Sequence, residues 1–215
     1  MTAIDTQSTP QTLPLTAVIL AGGKSTRMGT DKALLRLGSR TLLERTCALV
    51  TPLFDETLII AASAAQCASL DLAGATVLQD EPDIRGRGPL AGIYTGLRNA
   101  RHETVCFLTC DMPFVDSTIL QHLTTQLDAN ADVTCFKGES KHHEPFPGLF
   151  RRRLLESLST SLQRNELSLC RYLDQVVTRY LPIPRDSQLV FTNTNTPQEF
   201  QSATQHHALS DPALA

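Results

Sequence analysis

Between Leu20 and Lys32 the chain reads LAGGKSTRMGTDK, directly after the apolar run TAVI. Adjacent glycines at the end of an apolar run let backbone N–H groups approach a ligand closely, and a row of such groups makes an anion-binding nest. Lys24, Arg27 and Lys32 add positive charge to the same stretch, and Lys32 stands beside Asp31 ahead of an apolar segment that anchors it. Together these features suit a triphosphate. Gly23-Lys24-Ser25 matches the end of the GxxxxGK[ST] phosphate loop, but the first glycine of that pattern would fall on Val18, inside the apolar run. The GxGxxG dinucleotide pattern fails too, because Gly22 and Gly23 are adjacent and position 24 is lysine.

Further along, TVCFLTC runs straight into Asp111, and Pro113 stops regular pairing just beyond it. A carboxylate at the carboxyl end of a parallel strand is an oxygen donor suited to Mg2+, which takes one or two carboxylates plus phosphates and waters. The competing reading is an aspartate that caps the next turn. In DEPDIRGRGPLAGIYTGL, Gly86 and Gly88 free the backbone to wrap a ligand, and Pro89 opens a helix whose positive end can face phosphate. Asn193 and Asn195, in FTNTNTPQEF, are spaced so that an extended segment presents both amides on one side. Turn-forming asparagines ahead of a helix are the plainer alternative. His142, His143 and Glu144, in KHHEPFPGLF, could be mistaken for metal ligands, but an exposed loop explains their polarity.

These residues need a scaffold, and the patterning supplies one. Apolar stretches of strand length alternate with amphipathic stretches of helix length, the pattern of βα units on a mainly parallel sheet. Strands are predicted near Thr16–Ala21, Leu58–Ser63, Ala75–Asp80, Thr104–Cys110, Ala131–Phe136 and Arg179–Ile183, with a further one near Phe146–Phe150. Helices are predicted over about Thr41–Pro52, Pro89–Arg101, Ser117–Leu127 and Arg152–Leu162, and a last one opens at TPQEF. Thr41 with Glu44, and Thr196 with Glu199, have the spacing of capping boxes. One domain is expected over residues 15–205, between polar tails at 1–14 and 206–215.

A chain of 215 residues, 41% hydrophobic and 19% charged, can bury one sizeable core. Its formal net charge of -3 provides no global basic field, which argues against nucleic acid or an anionic membrane as partner. The N-terminal stretch lacks the basic and apolar regions of a signal peptide, so a cytoplasmic location is expected. The six cysteines show no CxxC spacing and are expected to be buried free thiols.

LAGGKSTRMGTDKALL resembles the N-terminal signature of the nucleotidyltransferases that include the molybdenum cofactor guanylyltransferases. CDMPF is similar to that family's C-D-x-P-[FY] element, DEPDIRGRGPLAGIYTGL to its second nucleotide loop, and FTNTNTPQEF to its F-x-N-x-N-T-P-x-[DE] element. The resemblance runs in order from Thr16 to Gln201. It implies a single-domain, three-layer α/β/α Rossmann-like fold with a mostly parallel sheet. It also implies transfer of GMP from GTP to the terminal phosphate of molybdopterin, with release of pyrophosphate.

By that likeness Leu20, Ala21, Gly22, Gly23, Lys32, Asp80 and Asp111 contact GTP, and Asp111 also holds Mg2+. Asp111, Lys32 and Arg27 carry the catalysis, while Asn193 and Asn195 contact molybdopterin. Molybdenum-insertion proteins and apo-molybdoenzymes are the partners the likeness implies. The chain departs from the family at Ala61, where many members have asparagine, which puts a ribose or base contact in doubt. Alternatives are a molybdenum cofactor cytidylyltransferase, a sugar-nucleotide pyrophosphorylase, or a non-catalytic GTP-binding carrier for a molybdoenzyme. Cytidylyl relatives tend to read LAAG where this chain has LAGG, which favours guanine.

Overall fold

The structure, a computed structural model, describes residues 12–22, 31–138, 143–194 and 196–210, the last four by backbone alone. Its strands are β1 (Leu13–Leu20), the two-residue β2 (Arg36–Leu37) and β3 (Arg40–Thr41), then β4 (Phe54–Ile60), β5 (Thr76–Leu78), β6 (Thr104–Thr109), β7 (Val133–Lys137), β8 (His143–Arg151) and β9 (Thr178–Pro182). The helices are α1 (Leu42–Val50), α2 (Ala64–Cys67), α3 (Pro89–Asn99), α4 (Ser117–Thr125), α5 (Leu155–Gln163), α6 (Leu169–Leu173) and α7 (Pro197–Ser210).

Seven strands form one sheet in the order β5-β4-β1-β6-β8-β7-β9, while β2 and β3 pair separately as a hairpin. β8 alone runs antiparallel to its neighbours, β6 and β7. The carboxyl ends of the other six strands therefore share one edge. After β1 the chain builds outward through β4 and β5, then returns to place β6 on the other side of β1. That reversal makes the gap between the β1 and β6 exits the switch point where open α/β sheets bind ligands.

Alternation along β1 builds the layers. Ala17 and Ile19 join the core beneath α1 and α4, whereas Val18 points into a second core beneath α3, α5 and α6. Phe107 in β6 is fully buried in that second core, a burial that stabilises the fold by roughly 1.5–3 kcal/mol. α3 lies close on the sheet because Gly96 has no side chain: a Cβ there would sit 2.7 Å from the Phe107 ring. α1 starts as its capping box predicts. Thr41 Oγ1 accepts from the Glu44 N–H at 3.2 Å, and the Glu44 carboxylate accepts from the Thr41 N–H at 2.7 Å. That backbone N–H is also the main reason the Glu44 carboxyl lies below its ordinary range. Thr196 and Glu199 close the same box ahead of α7.

Several boundaries move. The strand expected over Ala75–Asp80 shortens to Thr76–Leu78, and the helix expected from Arg152 opens with a 3-10 turn at Arg152–Leu154. β8 reaches back to His143, so His143 and Glu144 lie on a strand and are half-buried, not in an exposed loop. The His143 ring stacks on Tyr180 at 4.8 Å, and this packing explains the change. β1 begins at Leu13, inside the expected tail, because the Leu13 N–H donates to the Leu53 carbonyl at 2.8 Å. α7 continues to Ser210, past the expected domain end, and the His206 ring meets Phe114 edge-on at 6.2 Å. All six cysteines are free, five buried and Cys170 exposed. Burial pushes the Cys47, Cys106 and Cys135 thiols up to about 12. Among the described residues no helix is long and apolar enough to cross a membrane.

Candidate active site

A cavity of about 240 Å³ opens at the switch point. Five segments from different parts of the chain wall it. Leu20, Ala21 and Gly22 come from the β1 exit, and Thr109, Cys110 and Asp111 from the β6 exit. Asp31, Lys32 and Ala33 form the opposite lip, with Gly88, Pro89 and Phe146 completing the wall.

Local sequence explains each placement. β1 and β6 pair in register up to Leu20 and Thr109. Beyond that point the two backbones separate, and their next residues face the gap. Asp31 caps a short 3-10 turn, Lys32–Leu34, by accepting from the Ala33 N–H at 3.1 Å. Ala33 is fully buried, so the turn is anchored and Lys32 is held at the rim. Lys32 Nζ lies 3.6 Å from the Asp111 carboxylate, and each side chain is about one-fifth exposed (19% and 21%). Gly88 precedes Pro89 at the start of α3 with φ +74, a left-handed value that glycine adopts freely. No side chain caps this helix; Pro89 has no N–H and the Ala91 N–H donates to the Gly88 carbonyl at 3.2 Å, so what the start of α3 brings to the cavity wall is the positive end of its dipole.

The sequence-predicted residues divide into three groups. Leu20, Ala21, Gly22, Lys32 and Asp111 converge on the cavity. Asp80 and Asn193 are not among its lining residues. Gly23, Lys24, Arg27, Asn195 and His142 lie outside the described residues. Asp80 follows β5 at the same sheet edge, where its carboxylate accepts from Thr95 Oγ1 of α3 at 2.6 Å. Burial raises the Asp80 carboxyl above its ordinary value, against the Thr95 hydrogen bond and the Arg85 charge, both of which lower it.

Three residues that the sequence reading passed over hold this site in shape. Thr95 holds Asp80. Gln66 ties the β4 exit to the β1 exit: its Oε1 accepts from the Ala62 N–H at 3.0 Å, and its Nε2 donates to the Ala21 carbonyl at 3.3 Å. This link spans the ends of both strands beside Ala61, which is buried and donates its N–H to the Leu78 carbonyl. Thr194 is fully buried and gives the Asp111 carbonyl two hydrogen bonds, from its N–H at 2.9 Å and its Oγ1 at 3.1 Å. The period of an extended segment carried the signal for Thr194: if Asn193 and Asn195 face a ligand, the residue between them faces the protein.

A metal fits the donor set as a shared ligand rather than a caged one. Asp111 offers a partly exposed carboxylate at the cavity rim. Among the described residues, no group of three or more His, Cys, Asp or Glu side chains could hold a metal ion. A single carboxylate, with phosphates and water filling the remaining positions, is how Mg2+ is commonly held in nucleotide sites.

Comparison with known proteins bears on the family and the fold. Residues 17–180 match the family model described as the MobA-like NTP transferase domain. A molybdenum cofactor guanylyltransferase from Vibrio cholerae is 33% identical over 91% of this chain and 95% of its own length. A probable molybdenum cofactor guanylyltransferase from Peptoclostridium acidaminophilum is 29% identical over 88% of each chain. Among solved structures, the molybdopterin-guanine dinucleotide biosynthesis protein A of Archaeoglobus fulgidus superposes with a TM-score of 0.76. That match is 22% identical and covers 89% of this chain and 98% of the other, so it speaks for the fold.

Proposed function

Because the chain belongs to the MobA-like NTP transferase family, we propose that it transfers GMP from GTP to the terminal phosphate of molybdopterin. One observation in the structure carries the reading. The β1 exit, Lys32, the uncapped start of α3 and Asp111 meet at a single cavity, so anion-binding backbone, a cation and a metal-type carboxylate face the same space.

In this reaction an oxygen of the acceptor phosphate attacks the α-phosphorus of GTP and forms the new P–O–P bond. The bond from the α-phosphorus to the oxygen bridging it to the β-phosphate breaks, and pyrophosphate departs with that electron pair. No protein general base is required, since a phosphate monoester is already largely ionised near neutral pH. Mg2+ held by Asp111 would supply charge neutralisation on the phosphate oxygens. The protein's part is positioning and electrostatics. Lys32, and Arg27 by family likeness, neutralise the leaving pyrophosphate, while the α3 N-terminus and the β1 exit hold phosphate and nucleoside. Lys32 stands 3.6 Å from Asp111, so its charge lies beside the carboxylate that would hold the metal and within reach of phosphates bound there. Asp80 serves the guanosine side, and Asn193 and Asn195 serve the pterin acceptor. Molybdenum-insertion proteins and apo-molybdoenzymes are the partners this product would serve.

The test supplies each of the four nucleoside triphosphates with Mg2+ and molybdopterin, and reads nucleotide binding and pyrophosphate release. Acceptor-dependent release from GTP alone is the expected result. Release from CTP would make the protein a cytidylyltransferase, and GTP binding without release would make it a carrier.

A further inference from the structure

We propose that Thr194 is a positioning residue for Asp111, holding the metal-type carboxylate in place from the segment that the acceptor is expected to touch. The proposal rests on the reading of Asp111 given above.

The argument begins with how Asp111 leaves the sheet. β6 ends at Thr109, and Pro113 follows soon after, so the main chain around Asp111 has no strand neighbour to fix it. Its carbonyl is fixed instead by one residue, distant in sequence, that satisfies both lone pairs of the oxygen: Thr194 donates from N–H at 2.9 Å and from Oγ1 at 3.1 Å. Thr194 is fully buried, so water does not compete for either bond. Two donors on one carbonyl fix the orientation of the following peptide plane, which carries the Asp111 Cα, and so narrow the directions open to its Cα–Cβ bond. The carboxylate itself faces the cavity, with Lys32 as its neighbour at 3.6 Å. Its aim therefore depends on the backbone anchor. Thr194 also adjoins Asn193, so the same two hydrogen bonds join the acceptor side of the site to the nucleotide side.

Thr194→Val keeps the shape and the N–H donor but removes the hydroxyl. The probe is Mn2+ in the presence of GTP, with free Mn2+ read by electron paramagnetic resonance, beside thermal unfolding of each variant. Residues that orient a metal ligand typically affect metal affinity by tenfold or more. Thr194→Val should weaken Mn2+ binding by about tenfold while GTP affinity without metal stays as in wild type. Thr194→Ser, which restores the hydroxyl, should recover most of the loss. Unchanged Mn2+ affinity in Thr194→Val, with or without a lower Tm, would overturn the proposal and leave Thr194 a purely structural anchor. Should the valine variant fail to fold, Thr194→Ala adds no volume and carries the same comparison. Asp111→Asn separates the two readings. If that variant loses Mn2+ and Thr194→Val does not, the positioning role alone falls; if it binds Mn2+ as wild type does, the reading of Asp111 falls and this proposal with it.

Discussion

The two edges of the central sheet are built from the same strands and use polar groups in opposite ways. At the amino edge, fully buried Thr16 donates from Oγ1 to Glu56 at 2.7 Å, and that oxygen also lies 2.9 Å from His102 Nδ1. Glu56 accepts from the Arg101 N–H at 2.8 Å and from its guanidinium at 3.1 Å, and His102 Nε2 lies 3.4 Å from Asp55. Each group is closed by another, because the connection leaving α3 returns to the start of β6 and brings Arg101 and His102 back across the edge. At the carboxyl edge the strands part, and Gly22, Lys32, Asp111 and the uncapped start of α3 turn toward a cavity. A closed network contributes stability; an open one leaves hydrogen-bonding capacity for a ligand. Substitutions at the open edge should therefore change turnover while sparing the fold, and those at the closed edge should do the reverse.

The strongest break in that comparison is Asp111→Asn. Removing a charge that faces the reacting phosphates should lower transfer on the order of a hundredfold or more. The fold should hold, since the carboxylate is partly exposed and Thr194 binds the carbonyl, which the substitution leaves intact. Turnover within a few-fold of wild type would eliminate Asp111 as the metal ligand. Next comes Lys32→Ala, expected to weaken GTP on the order of tenfold or more and free guanosine hardly at all, since the lysine's partners are phosphates. Two titrations decide it, and equal losses for both ligands would place Lys32 on the base side or in the fold.

Much of the open edge was legible in the sequence because its chemistry is local. Leu20–Gly22, CDMPF and GRGPLAG each gather their distinctive residue types within a few positions, and each lies at the expected strand exit or helix start. The parallel sheet followed from βα alternation, and both capping boxes formed as their spacing requires. What escaped was long-range hydrogen bonding. Thr194 reaches Asp111, Gln66 reaches Ala21 and Arg101 reaches Glu56 across loops whose closure no local pattern encodes. The antiparallel course of β8 escaped for a related reason: strand direction is set by the connection before it, and apolar periodicity is the same either way.

Gly22→Ala tests how the open edge reads the base. Gly22 does not have a left-handed φ, so alanine brings no backbone strain. A Cβ there would meet the Ala62 nitrogen at 3.4 Å and the Ile60 carbonyl oxygen at 3.6 Å, ordinary contacts that leave the fold intact. The methyl would stand against the β4 exit, from Ile60 to Ala62, and take up room beside Gly22, where the cavity wall leaves a purine space to lie against the backbone. GTP should therefore lose more than CTP, by roughly 1–3 kcal/mol in the ratio of their kcat/KM values, the range that a methyl-sized change commands. An unchanged ratio would show that Gly22 does not read the base.

The smallest expected effect lies at the closed edge, in Glu56→Gln. Burial alone would raise the Glu56 carboxyl, but the Arg101 N–H, the Thr16 hydroxyl and the Arg101 charge bring it below its ordinary value. A carboxylate whose folded pKa is depressed contributes stability above its unfolded value of 4.5, and that contribution is lost as pH falls through the folded value. Wild type should therefore exceed Glu56→Gln by on the order of 1 kcal/mol at pH 7, a few degrees in Tm, since glutamine keeps one acceptor oxygen and loses the charge and the second acceptor. The gap should close as pH drops below the ordinary carboxylate range, where both side chains are neutral. GTP turnover at pH 7 should match wild type throughout, because Glu56 lies at the amino end of β4 and the cavity at the carboxyl end of the sheet. Denaturant unfolding of both proteins across pH 3 to 7 decides the matter. A stability difference that persists at pH 3 would mean that glutamine disturbs packing rather than charge, and a fall in turnover would mean that the two edges are coupled.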